Sequence, residues 1–134
     1  MPASPDESST AAPSEVLGDA DLLLGLDLAE LTVWRHDLAS GRVHGNASTG
    51  RLLGLPSVSG GWCIEELMRH IHPDDQDAVR AGARQALRQS VAVDQIIRYR
   101  ANDGCWRHAW TRRLARCDST GRARALLGVA LDVT

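Results

Sequence analysis

VDQIIRYRANDGCWRHAWTRRLARCDSTGRARALLGVALDV, residues 93–133, decides the fold. Val93 to Ala101 carries Val, Ile and Tyr, the side chains that suit a pleated surface. Asn102-Asp103-Gly104 then supplies hairpin-turn chemistry. Cys105 to Arg116 reads as a long second strand and Asp118-Ser119-Thr120-Gly121 as a second turn. Ala123 to Val133 is a third strand whose nearly continuous apolar stretch, Ala125 to Leu131, suits a central strand buried on both faces. Three consecutive strands joined by tight turns make an antiparallel meander.

The segments upstream add helices and a second hairpin. His72-Pro73-Asp74-Asp75 opens a helix running to about Gln89. Proline at the first helical position loses no useful N–H, and acidic residues there complement the helix dipole. Val79, Ala83, Ala86 and Leu87 mark its buried side; Arg80, Arg84 and Arg88 mark a solvated one. A shorter helix is expected from about Cys63 to His70, with Ile64, Leu67, Met68 and Ile71 as its apolar stripe. Another spans residues 46–55 and ends near Gly54. Leu31 to Leu38 and Arg42 to His44 form a hairpin across Ala39-Ser40-Gly41. Glu15 to Leu28 reads as a helix with Ser14 as its cap, and its apolar residues fall on more than one face. The order is helix, two strands, helices, then three strands. It predicts an α+β fold, a five-stranded antiparallel sheet with helices on one face, preceded by an N-terminal amphipathic helix.

Composition narrows the function. The 134 residues allow one domain, and 43% hydrophobic with 24% charged residues is ordinary for a globular chain. A net charge of −2 gives no general attraction for nucleic acid or anionic membrane. Residues 100–116 do hold five Arg and two Trp, but the arginines divide between both faces of the strand. Every basic residue is Arg; there is no Phe, and the large aromatics are four Trp and one Tyr. Cys63, Cys105 and Cys117 form no CxxC pair, so neither a disulfide framework nor a zinc site is expected. The five histidines show no metal-ligand spacing. No apolar run approaches the roughly 18–20 residues of a membrane span. Residues 1–14, rich in Pro, Ser, Ala and Thr, read as a disordered tail without the basic and apolar regions of a secretory signal. No nucleophile elbow and no phosphate-binding glycine loop is present.

Four stretches together resemble the PAS family, in the subgroup common among bacterial sensor histidine kinases. Trp34-Arg35-His36-Asp37-Leu38 with Ser40-Gly41 is similar to its opening hairpin. Ile71-His72-Pro73-Asp74-Asp75 resembles its HPDD helix start. Tyr99-Arg100 with Asp103-Gly104 and Arg107 resembles its central hairpin. Asp118 to Gly121, Gly128 and Asp132-Val133-Thr134 resemble its final strand and exit. The match covers about residues 20–134. Two positions depart from it: Arg98 stands where the family has an acidic residue, and His108 where it has Trp.

The resemblance implies a cytoplasmic signal-input domain, itself not an enzyme, that senses a small ligand or mediates dimerisation. Domain limits follow: a tail at 1–14, a cap helix at 15–30 and the PAS domain at 31–134. The output domain expected in the same polypeptide is a histidine kinase, or alternatively a diguanylate cyclase. A constitutive dimerisation or scaffolding module with a filled core is the other reading. By register with the family, Ala109 and Thr111 face inward, with Tyr99 on the neighbouring strand and Gly128 and Ala130 on the last; with Met68 they are the ligand-pocket candidates. Trp106 and Trp110 face outward, where the 15–28 helix, through Leu23 and Leu26, is the expected cover and dimer face. Asp132 and Thr134 are the expected signal exit. No catalytic residue, metal or cofactor is expected: Cys63 lacks the neighbours of a flavin-adduct cysteine, and residues 74–89 hold no histidine for haem. The partners expected are a second copy and the output domain, without nucleic acid or membrane.

Overall fold

A computed structural model describes residues 16–56 and 58–134. The expected tail at 1–14 and the Ser14 cap lie outside those residues. The elements are α1 (Asp19–Leu28), β1 (Thr32–Asp37), β2 (Arg42–Gly45), α2 (Ala47–Leu53), β3 (Trp62–Cys63), α3 (Ile64–Met68), α4 (Pro73–Gln89), β4 (Val93–Arg100), β5 (Trp106–Cys117) and β6 (Ala123–Asp132). All strand pairs are antiparallel, in the order β3-β2-β1-β6-β5-β4. The last strand therefore closes the sheet centre between β1 and β5, as its apolar run requires.

The sheet has six strands, not five. The extra one is the two-residue edge strand β3, whose Trp62 and Cys63 pair with Val43 and Arg42. The third expected helix begins after it, at Ile64. Trp62 fixes this edge: it is 7% exposed and its indole N–H donates to the Pro56 carbonyl at 2.9 Å. Gly61 makes the approach possible, because its φ is 75° and a Cβ there would lie 2.5 Å from the Val43 carbonyl oxygen.

The N-terminal helix also differs from expectation. Val16 to Gly18 are not helical, and Gly18 is the cap, its N–H donating to Asp21 Oδ2 at 3.1 Å. Its apolar side chains ring the helix rather than forming one stripe, and none is buried; Leu22, Leu23, Leu24 and Leu28 are all more than half exposed. Polar bonds hold its C-terminal end. Asp27 Oδ1 accepts from Asn46 Nδ2 and Ser48 Oγ, both at 3.1 Å, and Asn46 Nδ2 also donates to the Leu31 carbonyl at 2.9 Å. The helix is thus pinned to the start of α2 and beside β1.

Helix α4 packs on β4, β5 and β6. His72 caps it, with Nδ1 accepting from the Asp74 N–H at 3.1 Å. Asp75 fastens it to the sheet edge: Oδ2 accepts from the Arg98 backbone N–H at 2.8 Å and from Nε at 3.0 Å, and Oδ1 from Nη2 at 2.7 Å. The basic residue at position 98 is therefore the partner of the acidic helix start. Two apolar clusters sit between helices and sheet. Ile97, Tyr99, Ala101 and Ala109 gather Leu52, Leu53, Ile71 and Val79; Ala86, Val93 and Leu126 gather Trp34, Ala83 and Leu87.

Candidate functional site

Between the two clusters the packing leaves a cavity of about 530 Å³. Its floor is the inner sheet face. Alternation along the strands puts Thr32 and Trp34 of β1, Ile97 and Tyr99 of β4, Ala109, Thr111 and Arg113 of β5, and Leu126 and Ala130 of β6 on that face. Helices α3 and α4 form the opposite wall through residues such as Leu67, Met68, Val79 and Ala83. The rim is charged: Glu65, Arg69, Arg80 and Arg84 are exposed and border the opening. A chamber of this volume with an apolar wall and a few convergent polar groups matches a small-molecule site.

The pocket candidates divide. Tyr99, Ala109, Thr111, Ala130 and Met68 line the cavity. Gly128 does not: its missing side chain is the seat of Trp34, and a Cβ there would lie 2.1 Å from Trp34 Cζ2. The space left by that glycine holds an indole, not a ligand. Thr32 and Thr111 are internally satisfied, their hydroxyls donating to the Ala130 and Gln95 carbonyls at 3.1 Å.

Two lining residues that the sequence reading passed over are Trp34 and Arg113. Arg113 is 5% exposed. Nη1 donates to the Val79 carbonyl at 3.0 Å, Nη2 donates to Gln95 Oε1, and Nε is buried without a partner. Burial pushes its pKa below the usual guanidinium range. The signal for it was present, because alternation places it on the same face as Ala109 and Thr111.

The expected exit is tied to the cavity wall. Tyr99 donates its hydroxyl proton to Asp132 Oδ2. Burial first, and then this bond to a carboxylate, raise the phenol pKa well above its ordinary value. Asp132 Oδ1 accepts from the Thr134 N–H at 2.8 Å, and Thr134 Oγ1 accepts from the His108 N–H at 3.0 Å. The Val133 N–H donates to the His108 carbonyl at 2.9 Å.

Trp106 and Trp110 lie on the outer face, as the register with the family implies, but α1 does not cover them. It is pinned beside β1, while the tryptophans stand on β5, two strands away. Trp106 is 45% exposed and packs its ring on His72 at 4.7 Å. Trp110 donates its indole N–H to Asp94 Oδ2 at 3.2 Å and lies under the Arg112 guanidinium at 5.2 Å. Leu23 and Leu26, the helix half of the expected face, are respectively exposed and half-buried at α1. Among the described residues no three His, Cys, Asp or Glu side chains are grouped so as to hold a metal ion, and no helix is long and apolar enough to cross a membrane.

Comparison with known proteins agrees with this architecture. The family described as the PAS fold matches residues 42–130. A sensory box histidine kinase/response regulator from Burkholderia thailandensis is similar, with 23% identity over 84% of each chain and a TM-score of 0.69. So is the N-terminal domain of a diguanylate cyclase with PAS/PAC sensor from Marinobacter aquaeolei, at 22% identity over 77% of this chain and 94% of that one, with a TM-score of 0.66. Cycle PAS-B of Drosophila melanogaster with bound ethylene glycol is 14% identical over 75% of this chain and 98% of its own, with a TM-score of 0.61. No curated protein sequence matches the chain.

Proposed function

The chain belongs to the PAS-fold family, and on that premise we propose that it is the ligand-sensing input domain of a cytoplasmic, multidomain signalling protein. The observation that carries this reading is the cavity of about 530 Å³ between the helices and the inner sheet face. A core selected only to hold a scaffold together packs to near-crystalline density and keeps few voids larger than water. The domain regulates a neighbouring output and performs no chemistry of its own. A histidine kinase is the first candidate for that output and a diguanylate cyclase the second, since both kinds of protein carry the similar domains. A ligand that binds one packing of the Tyr99 wall more tightly than another shifts the population between them. The Tyr99–Asp132–Thr134 bonds carry that shift to the end of β6.

Native and then denaturing mass spectrometry of the purified chain tests this. A small molecule released on denaturation supports the ligand sensor and gives its chemical class. A chain that stays empty after exposure to a metabolite extract and shows no ligand-dependent change in melting temperature refutes it.

The outer sheet face supports a second element of the reading, a homodimer. Ile96 is 59% exposed, and Trp106, Leu114 and Leu131 are each near 40% or above, on one continuous face of β4, β5 and β6. Apolar area gathered in this way marks an interaction surface more often than scattered single residues do. Sedimentation velocity reads the outcome directly: a concentration-independent monomer would remove the dimer from the proposal.

A further inference from the structure

The buried arginine of the cavity has no counter-charge. Arg113 is 95% withdrawn from solvent, its two hydrogen-bond acceptors are a backbone carbonyl and an amide oxygen, and its Nε–H points to no acceptor. No carboxylate among the described residues stands within ion-pair distance of it. A desolvated cation held only by neutral dipoles is costly, and burial lowers its pKa with nothing to offset it. The rest of the lining deepens the imbalance. Arg69, Arg80 and Arg84 border the opening, Arg80 paired with Asp77 at 3.5 Å, against one lining carboxylate, Glu65, which already accepts from Cys63 Sγ at 2.5 Å. The whole chain carries a net charge of −2, so this positive surplus is a property of the cavity and not of the composition.

We propose that the cavity takes a small organic acid, with its apolar body among Trp34, Ile97, Tyr99 and Leu126 and its carboxylate on Arg113. The proposal rests on the ligand-sensing reading and adds the chemical class. A carboxylate supplies what the guanidinium lacks: a negative charge and an acceptor for the unpartnered Nε–H. The rim arginines attract the anion and the apolar lining retains its chain. A merely structural Arg113, bracing α4 to the sheet through Val79 and Gln95, requires no such preference.

Isothermal titration with octanoate and with 1-octanol, equal in chain length and different in charge, separates the two. Wild-type protein is expected to bind octanoate about tenfold or more tightly than octanol, the scale of one charge-assisted hydrogen bond. Arg113→Met keeps the stem, removes the buried charge and should abolish the preference while octanol binding stays; Arg113→Gln serves the same purpose should the Met variant not fold. Arg84→Gln, at the rim, should keep the preference. Equal wild-type affinity for acid and alcohol overturns the acid assignment and leaves the ligand-sensing reading standing. Preference retained in Arg113→Met moves the acid to the rim and overturns the role of Arg113. Binding of neither probe counts against the acid proposal and against an open cavity, and the mass spectrometry then decides the latter on its own.

Discussion

Gly128→Ala is the substitution whose sign reveals how the inner face is built. Glycine within a strand costs about 0.5–1 kcal/mol relative to alanine through chain entropy, so the change should stabilise a site with room for a methyl group. Position 128 has none. It pairs with Trp34 across β6 and β1, and an added Cβ would stand 2.1, 2.3 and 2.6 Å from three atoms of that indole. Ordinary carbon contacts lie near about 3.5–4.0 Å, so the ring must retreat by more than about 1 Å. The paired backbones cannot separate without losing ladder bonds, which leaves the ring to lift toward the cavity. Overpacking of this kind costs about 1–3 kcal/mol. Set against the entropic gain, a net loss of about 1–2 kcal/mol follows, at roughly 3–4 °C of melting temperature per kcal/mol in a domain of this size. Thermal denaturation of Gly128→Ala, Trp34→Leu and the double variant measures it as a cycle. In the Trp34→Leu background Gly128→Ala should become neutral or stabilising. A loss of equal size in both backgrounds, or no loss in the wild type, refutes the account of Gly128 as the seat of Trp34.

Three further outcomes are expected. Asp75→Asn should destabilise the domain by about 1 kcal/mol, allowing for solvent screening of a pair whose side chains are 20% and 37% exposed. The hydrogen bonds from Arg98 hold the Asp75 pKa at about 2, below its ordinary 3.8, so this stability is present above pH 3.8 and lost as the pH falls toward 2; denaturant titrations between pH 7 and pH 2 should show the wild-type advantage over Asp75→Asn vanishing in that window. Tyr99→Phe should cost about 1 kcal/mol and speed hydrogen exchange at the Thr134 amide, because Asp132 loses a donor that helps orient it; unchanged exchange there would disconnect the cavity wall from the exit. Trp110→Arg should convert a dimer to a monomer in sedimentation velocity while leaving octanoate binding intact, since the side chain stands on the face opposite the cavity.

The sequence shows the meander clearly because its turns carry their own chemistry. Gly104 and Gly121 adopt φ of 84° and 86°, and Asp103 and Asp118 fold back on the amides beyond them. Strand β3 was not legible, because two residues offer no alternation to read and the Trp62–Pro56 bond that fixes it is not a local pattern. The start of α1 was misread for a related reason. Val16 and Leu17 continue the apolar spacing, yet nothing in the fold buries them, and the helix is pinned instead by Asp27 through Asn46 and Ser48. Alternation separated the two faces of β5 and the register with the family marked which points inward, but the meaning of small residues could not be read. Ala130 opens onto the cavity whereas Gly128 is filled, and the difference depends on which residue of β1 lies across the ladder. Arg113 fell on the correct face; what made it informative was the absence of a carboxylate beside it among the described residues, and a one-dimensional pattern does not record that.

Tyr99 joins the two halves of the functional reading. Its ring is 3% exposed in the cavity wall, while its hydroxyl reaches the last residue of β6. Beyond that point packing contributes little, since Val133 is 47% exposed and Thr134 lies at the surface. The end of the strand is therefore held by hydrogen bonds: Tyr99 to Asp132, Asp132 to Thr134, and His108 to both Val133 and Thr134. Bonds of this kind depend on angle as well as distance, so a displacement of the phenol too small to disturb an apolar contact still weakens its bond to Asp132. On the proposed ligand-sensing reading, an occupant pressing on the Tyr99 ring would act on a lining residue whose hydroxyl reaches the expected exit at Asp132.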